Sequence, residues 1–259
     1  MATMTGDTIA SAEPISAGIP TLKSDLFMLL RWITLGIVAG GIGGLVVGGV
    51  GGRLAMLLLR LTSSNSVKGV ISDDGFVIGR IDLGGTAQLL LLTAAMGAIA
   101  GVIVVAGRPF FPKRGMPIAW GVAGAIIVGA IIVDSEGVDF NLLGPKPLAV
   151  ALFIAIPGVG AFLIAWLVEV FRPWWWENRR RTIIAAVAAV PALLVFVAFV
   201  IPIVATVVIG AAWLIALRAE DVRKLNNARP VRIAALSVFA LLVGLGLNGL
   251  VRDFRDILL

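Results

Sequence analysis

Between Gly36 and Gly52 the chain reads GIVAGGIGGLVVGGVGG, and every fourth residue is glycine: Gly36, Gly40, Gly44, Gly48 and Gly52. Residues four apart stack one above another on an α-helix, so this spacing draws a single glycine row along one helical face. In water each interior glycine costs a helix roughly 1 kcal/mol relative to alanine. Inside a bilayer an unsatisfied backbone group costs more than that, and the helix forms regardless. The row then becomes a groove that a second helix can approach at backbone distance, the small-xxx-small packing of membrane helices. The stretch therefore predicts a membrane-embedded helix that touches another helix, a glycine zipper.

Composition supports the same solvent. Hydrophobic residues make up 59% of the 259, against about 45–50% in ordinary soluble domains. The mean hydropathy is +1.06. Charged residues are only 14% and fall between long apolar runs, where they stay near water. Arg outnumbers Lys, and Ala, Gly and Val dominate, a usage that points to a prokaryotic source and hence a plasma membrane. The fold class expected is an all-α polytopic membrane protein.

The chain has no Cys, His or Tyr. That removes disulfides, thiol and imidazole chemistry and most soft-metal or haem ligands. No catalytic residue, cofactor or metal is expected. The net charge of +6 sits mainly in short loops between apolar runs, as the positive-inside rule requires, so nucleic acid is not an expected partner. The expected partners are the lipid bilayer and either another membrane protein or a second copy of the chain.

Residues 1–26 are small and polar and lack an apolar h-region, which predicts a disordered cytoplasmic tail. Helix one is expected from Phe27 to Gly52, with RLAMLLLRL continuing it along the membrane interface. A small extramembrane β-hairpin is expected within 66–84, where VKGVIS and FVIGRIDL flank Asp73-Asp74-Gly75. Further helices are expected over Thr86–Ala106, Pro117–Val133 and Leu148–Phe171, the last kinked at Pro157 and ending beside an interfacial belt of three tryptophans. Thr182–Leu217 is uncharged and too long for one comfortable crossing, since about 20 residues suffice. Two crossings there and a final helix over Ile233–Val251 give seven transmembrane helices across a domain of 27–252, or six if the segment crosses once. The N-terminus is then cytoplasmic, and residues 253–259 form a short outer tail.

Polar residues near the helix ends are the site candidates. Arg53 and Arg60, seven apart on one helical side, could grip lipid phosphate or simply anchor the interface. Asp73, Asp74 and Arg80 could form a binding tip on the hairpin, and Asp134, Glu136 and Asp139 an outer acidic cluster, without the spacing of a calcium loop. Glu169, near the inner end of its helix, is a candidate ion-relay carboxylate within reach of Arg172. Gln88, Thr93, Thr206, Ser237 and Asn248 are read as interhelical hydrogen-bonding groups. The functional expectation is a non-enzymatic scaffold or interaction subunit. The alternatives are a small-solute or lipid permease and a membrane-embedded lipid-modifying enzyme.

Overall fold

The computed structural model describes residues 22–63, 83–111, 115–133, 145–177, 180, 183–184 and 229–258. These residues are helical apart from short end turns, with no strand among them. The expected hairpin lies almost wholly outside them. Its last two residues do not: α3 already starts at Leu83, three residues earlier than expected.

The first rod is α1 (Leu22–Gly43), a π-helical stretch (Gly44–Gly51) and α2 (Gly52–Thr62). Gly51 and Gly52 keep right-handed helical angles, so the backbone runs through without a break. RLAMLLLRL, expected to continue the helix, does so directly, and its Leu59 is buried. Ser63 ends it by turning extended, while its backbone N–H (2.9 Å) and its hydroxyl (2.6 Å) both donate to the Leu59 carbonyl. The helical start at Leu22 also takes the last residues of the expected tail into α1.

Then come α3 (Leu83–Gly107), α4 (Met116–Ala123), a second π stretch (Gly124–Val128), α5 (Gly129–Ile132), α6 (Lys146–Glu177) and α7 (Arg229–Leu258). Counting α1–α2 and α4–α5 as single rods, the described residues hold five helices where seven were expected. The segment 182–217, which carried two of the seven, lies outside those residues except for Ile183 and Ile184. Four rods are long and apolar enough to cross a membrane: Leu26–Thr62, Gly84–Phe110, Lys146–Trp175 and Ile233–Ile257. The fifth, Met116–Ile132, is shorter. At 1.5 Å per residue it is about 25 Å long, a little under the ~30 Å hydrocarbon core.

Glycines set how the rods pack. A Cβ on Gly36 would lie 2.9 Å from the Gly101 carbonyl oxygen, and one on Gly40 would fall on the Gly97 oxygen. One on Gly44 would fall on the Thr93 oxygen. The two backbones therefore touch, and the order of the pairs makes α3 antiparallel to α1. Gly48 meets the Thr93 side chain at 3.0 Å, whereas Gly52, last of the row, has nothing within 4 Å. A second seam joins α4 and its π stretch to α6. There Gly121 faces Gly158 and Phe162, and a Cβ on Gly124 would lie 2.8 Å from the Pro157 oxygen. Pro157 is held inside α6 at this seam, with no helix end there.

Gly43 against Ile164 and Val47 against Gly160 place α6 antiparallel to the first rod as well. α7 lies outside, parallel to α4–α5, through Phe239 on Trp120 and Gly246 on Ile126. Only 6% of its apolar window is buried, which makes it the peripheral helix. The bundle so built has an Arg108 end, with the start of α1, the end of α3 and the end of α6, and a Lys146 end opposite. α6 finishes and α7 begins at the Arg108 end.

The expected tail at 253–259 is helical through Leu258, because RDFRDIL continues α7. Ile257 is buried with Leu59, Val133 and Val150, and its carbonyl accepts from Lys146 Nζ at 3.3 Å. Deleting residues 252–259 is expected to destabilise the Lys146 end by about 2–3 kcal/mol, most of it from the buried Ile257 side chain. A lower melting temperature of the detergent-solubilised protein is the measurement; an unchanged one would return the segment to the status of a tail.

Candidate functional site

Proline determines where the site begins. Pro109 has no N–H to continue α3, so the helix tightens into a 3-10 turn over Arg108–Phe110 and Phe111 turns extended. This leaves Arg108 at the helix end, 17% exposed and pointing across the bundle. Opposite it Glu169 stands on α6, four residues before Pro173, whose missing N–H leaves the Glu169 backbone carbonyl without its helical donor.

The two side chains form a forked ion pair. Arg108 Nε donates to Glu169 Oε1 at 2.5 Å and Nη2 to Oε2 at 3.3 Å. Glu169 is 23% exposed and also lies 3.7 Å from Arg172 Nη1, one turn further along α6. The Trp32 ring covers the Arg108 guanidinium, 5.5 Å from centroid to Cζ, so α1 helps to fix its plane. Two arginines share one carboxylate here, and the cluster keeps a surplus positive charge. Beside it opens a half-open cleft of about 150 Å³ lined by Arg108, Pro109, Phe111, Met116 and Glu169.

The wall beyond the cleft is aromatic. Phe111, Trp120 and Phe239 meet with ring centroids 4.8–5.6 Å apart, joining α4 and α7 to the end of α3. Gly107 admits this packing, since a Cβ there would come within 2.6 Å of the Trp120 ring. The tryptophan cluster on α6 is not wholly an interfacial belt. α6 runs on through Pro173, and Trp175 turns inward to 3% exposure while Trp174 stays exposed.

Trp175 Nε1 donates to Thr34 Oγ1 at 3.3 Å, and that hydroxyl donates to the Leu30 carbonyl at 2.7 Å. Thr34→Val keeps the shape and strands the buried indole N–H, which is expected to cost about 1–3 kcal/mol. The measurement is the unfolding midpoint, with Trp175→Phe/Thr34→Val predicted to recover part of the loss; no loss on Thr34→Val would dismiss the bond.

Of the sequence candidates, only Glu169 enters this cluster. Its partner Arg108 and the covering Trp32 were not among those candidates. Arg53 and Arg60 lie half-buried on α2 at the Lys146 end. Asp73, Asp74, Arg80, Asp134, Glu136 and Asp139 lie outside the described residues, as does Thr206. Thr93 hydrogen-bonds its own helix, to Leu89 O (2.8 Å) and Leu90 O (3.2 Å), and does not bridge helices. Gln88, Ser237 and Asn248 are exposed on the outer faces of α3 and α7. Among the described residues no group of three or more acidic, His or Cys side chains could hold a metal ion.

Comparison with protein-family models, curated proteins and solved structures finds no match. A forked Arg–Glu pair under an indole is a strong, directional interhelical clamp. With its surplus cation and adjoining cleft it can also receive an anion.

Proposed function

We propose that the chain is a non-enzymatic multi-pass integral membrane protein that acts as a rigid scaffold or interaction subunit of a cell membrane. The observation that supports this reading is the pair of glycine seams, α1 on α3 and α4 on α6, where neighbouring backbones touch. Helices interlocked at backbone distance resist the sliding and rocking on which alternating access depends. The glycine zipper of α1 works in this reading as the internal fastening of the scaffold. The surface left for a partner is the outward apolar face of α7 and whatever extends beyond the membrane.

In this reading the Arg108 end faces the cytoplasm, since Arg31, Arg108, Arg172 and Arg180 gather there and the positive-inside rule assigns such an end to the cytoplasmic side. The N-terminus is then cytoplasmic too. The test is native mass spectrometry of the protein extracted in mild detergent, paired with solute-flux assays in proteoliposomes. A stoichiometric assembly, with a second copy or a distinct chain, and no flux above empty vesicles is the expected result. A lone monomer at every detergent ratio, or protein-dependent flux, would overturn the proposal.

A further inference from the structure

We propose that the cleft at the Arg108 end binds the phosphate of an anionic membrane lipid. The inference rests on the membrane reading above and adds a ligand to it.

A guanidinium carries five N–H donors. Glu169 takes one from Nε and one from Nη2, along one side of the Arg108 fork. Among the described residues Arg108 makes no other hydrogen bond, so three donors remain, two of them side by side on the Nη1/Nη2 edge. That edge has a fixed direction, because Glu169 holds the group from the side and Trp32 covers its face. A planar guanidinium with an open edge suits two oxygens of a phosphate, and it meets a phosphate better than a flexible ammonium would.

Charge favours the same ligand. Arg172, a third exposed, adds a second cation 3.7 Å from the shared carboxylate, so one positive charge is left over for an incoming anion. Basic pockets between membrane helices on the cytoplasmic side are a recurrent way of holding lipid headgroups. The remaining walls favour a lipid over a soluble phosphate. Pro109 and Phe111 offer nothing to a free anion, but they provide apolar surface for the glycerol and first acyl carbons of a lipid. At about 150 Å³ the cleft has room for a headgroup phosphate and little else, with the chains lying outside along the bundle.

The experiment is native mass spectrometry of the full chain in detergent, titrated separately with phosphatidylglycerol, phosphatidylcholine and soluble glycerol phosphate. One phosphatidylglycerol is expected to bind at least about tenfold more tightly than phosphatidylcholine, as loss of a charge-assisted pairing implies. Arg172→Gln, at a partly exposed position, is expected to weaken it several-fold, and Arg108→Lys about tenfold through loss of the fork. Glu169→Gln removes the competing carboxylate and is expected to bind the lipid more tightly. A purely structural clamp would give no gain there.

Equal binding of the two lipids, or indifference to both Arg172→Gln and Glu169→Gln, would overturn the site. Glycerol phosphate binding as tightly as the lipid would overturn the lipid assignment in favour of a free phosphate. Failure of the membrane reading shows separately, as protein released from membranes without detergent.

Discussion

Gly40→Ala is expected to destabilise the bundle by about 3 kcal/mol, at the upper end of what an added methyl costs a packed interior. The new Cβ would fall on the backbone oxygen of Gly97, and its other near neighbours are backbone atoms of Gly97 and Ala98. Backbone cannot rotate out of the way as a side chain can, so the two helices must part. Parting them also opens the flanking contacts at Gly36 and Gly44. Gly52→Ala is the internal control, on the same row with nothing within 4 Å of its Cβ. It is expected to be neutral or to gain up to about 1 kcal/mol from helix propensity. Unfolding of both variants in mixed SDS micelles measures the difference. Equal stability of the two would mean that the backbones do not touch.

The second large effect is at the ion pair. Glu169→Met leaves Arg108 mostly buried without its carboxylate and beside Arg172, and is expected to cost about 3 kcal/mol, the lower end for a broken buried pair. Arg108→Met should cost less, because Glu169 keeps Arg172 within 4 Å. The double variant Arg108→Met/Glu169→Met should recover most of the loss, since apolar side chains of similar volume replace a buried pair at little net cost. The unfolding free energies of the four proteins form a double-mutant cycle, with an expected coupling of about 3 kcal/mol. Additive single effects would reduce the pair to two unrelated boundary charges.

What the sequence displayed was whatever repeats at short range. The four-residue spacing of Gly36, Gly40, Gly44 and Gly48 is local, and so is its meaning as a surface for close approach. The answering row on α3 has the same spacing in Thr93, Gly97 and Gly101, but a threonine opens it and nothing in one sequence says which of several glycine-bearing helices faces α1. Helix ends fell within a few residues where proline or glycine punctuates the chain, as at Pro109 and Pro117. They were misjudged where charge was taken for an ending, as in the helical RDFRDIL segment, whose Ile257 packs inward.

The candidate site was less legible, for a related reason. Arg108 and Glu169 are 61 residues apart, and each alone resembles a charge parked at a membrane boundary. They become a pair only when the lengths and directions of α3 and α6 bring both to the same end. Trp175 shows the same limit: beside an exposed Trp174, only the helical phase of α6 past Pro173 turns it inward. Thr34, its acceptor, carried no signal beyond being a polar atom in an apolar run.

The α1–α3 contact inside a single chain is the claim on which the scaffold and the site both depend. Because the protein has no cysteine, Gly48→Cys/Thr93→Cys probes it against no background. A Cβ at position 48 would lie 3.0 Å from that of residue 93, so a parting of the two backbones by about 0.5 Å reaches disulfide geometry. Mild oxidation of the double variant in native membranes is predicted to close a disulfide within each chain, leaving a monomer of altered mobility on non-reducing gels. A cross-linked dimer, or thiols that stay free under conditions that oxidise an exposed pair, would contradict the arrangement.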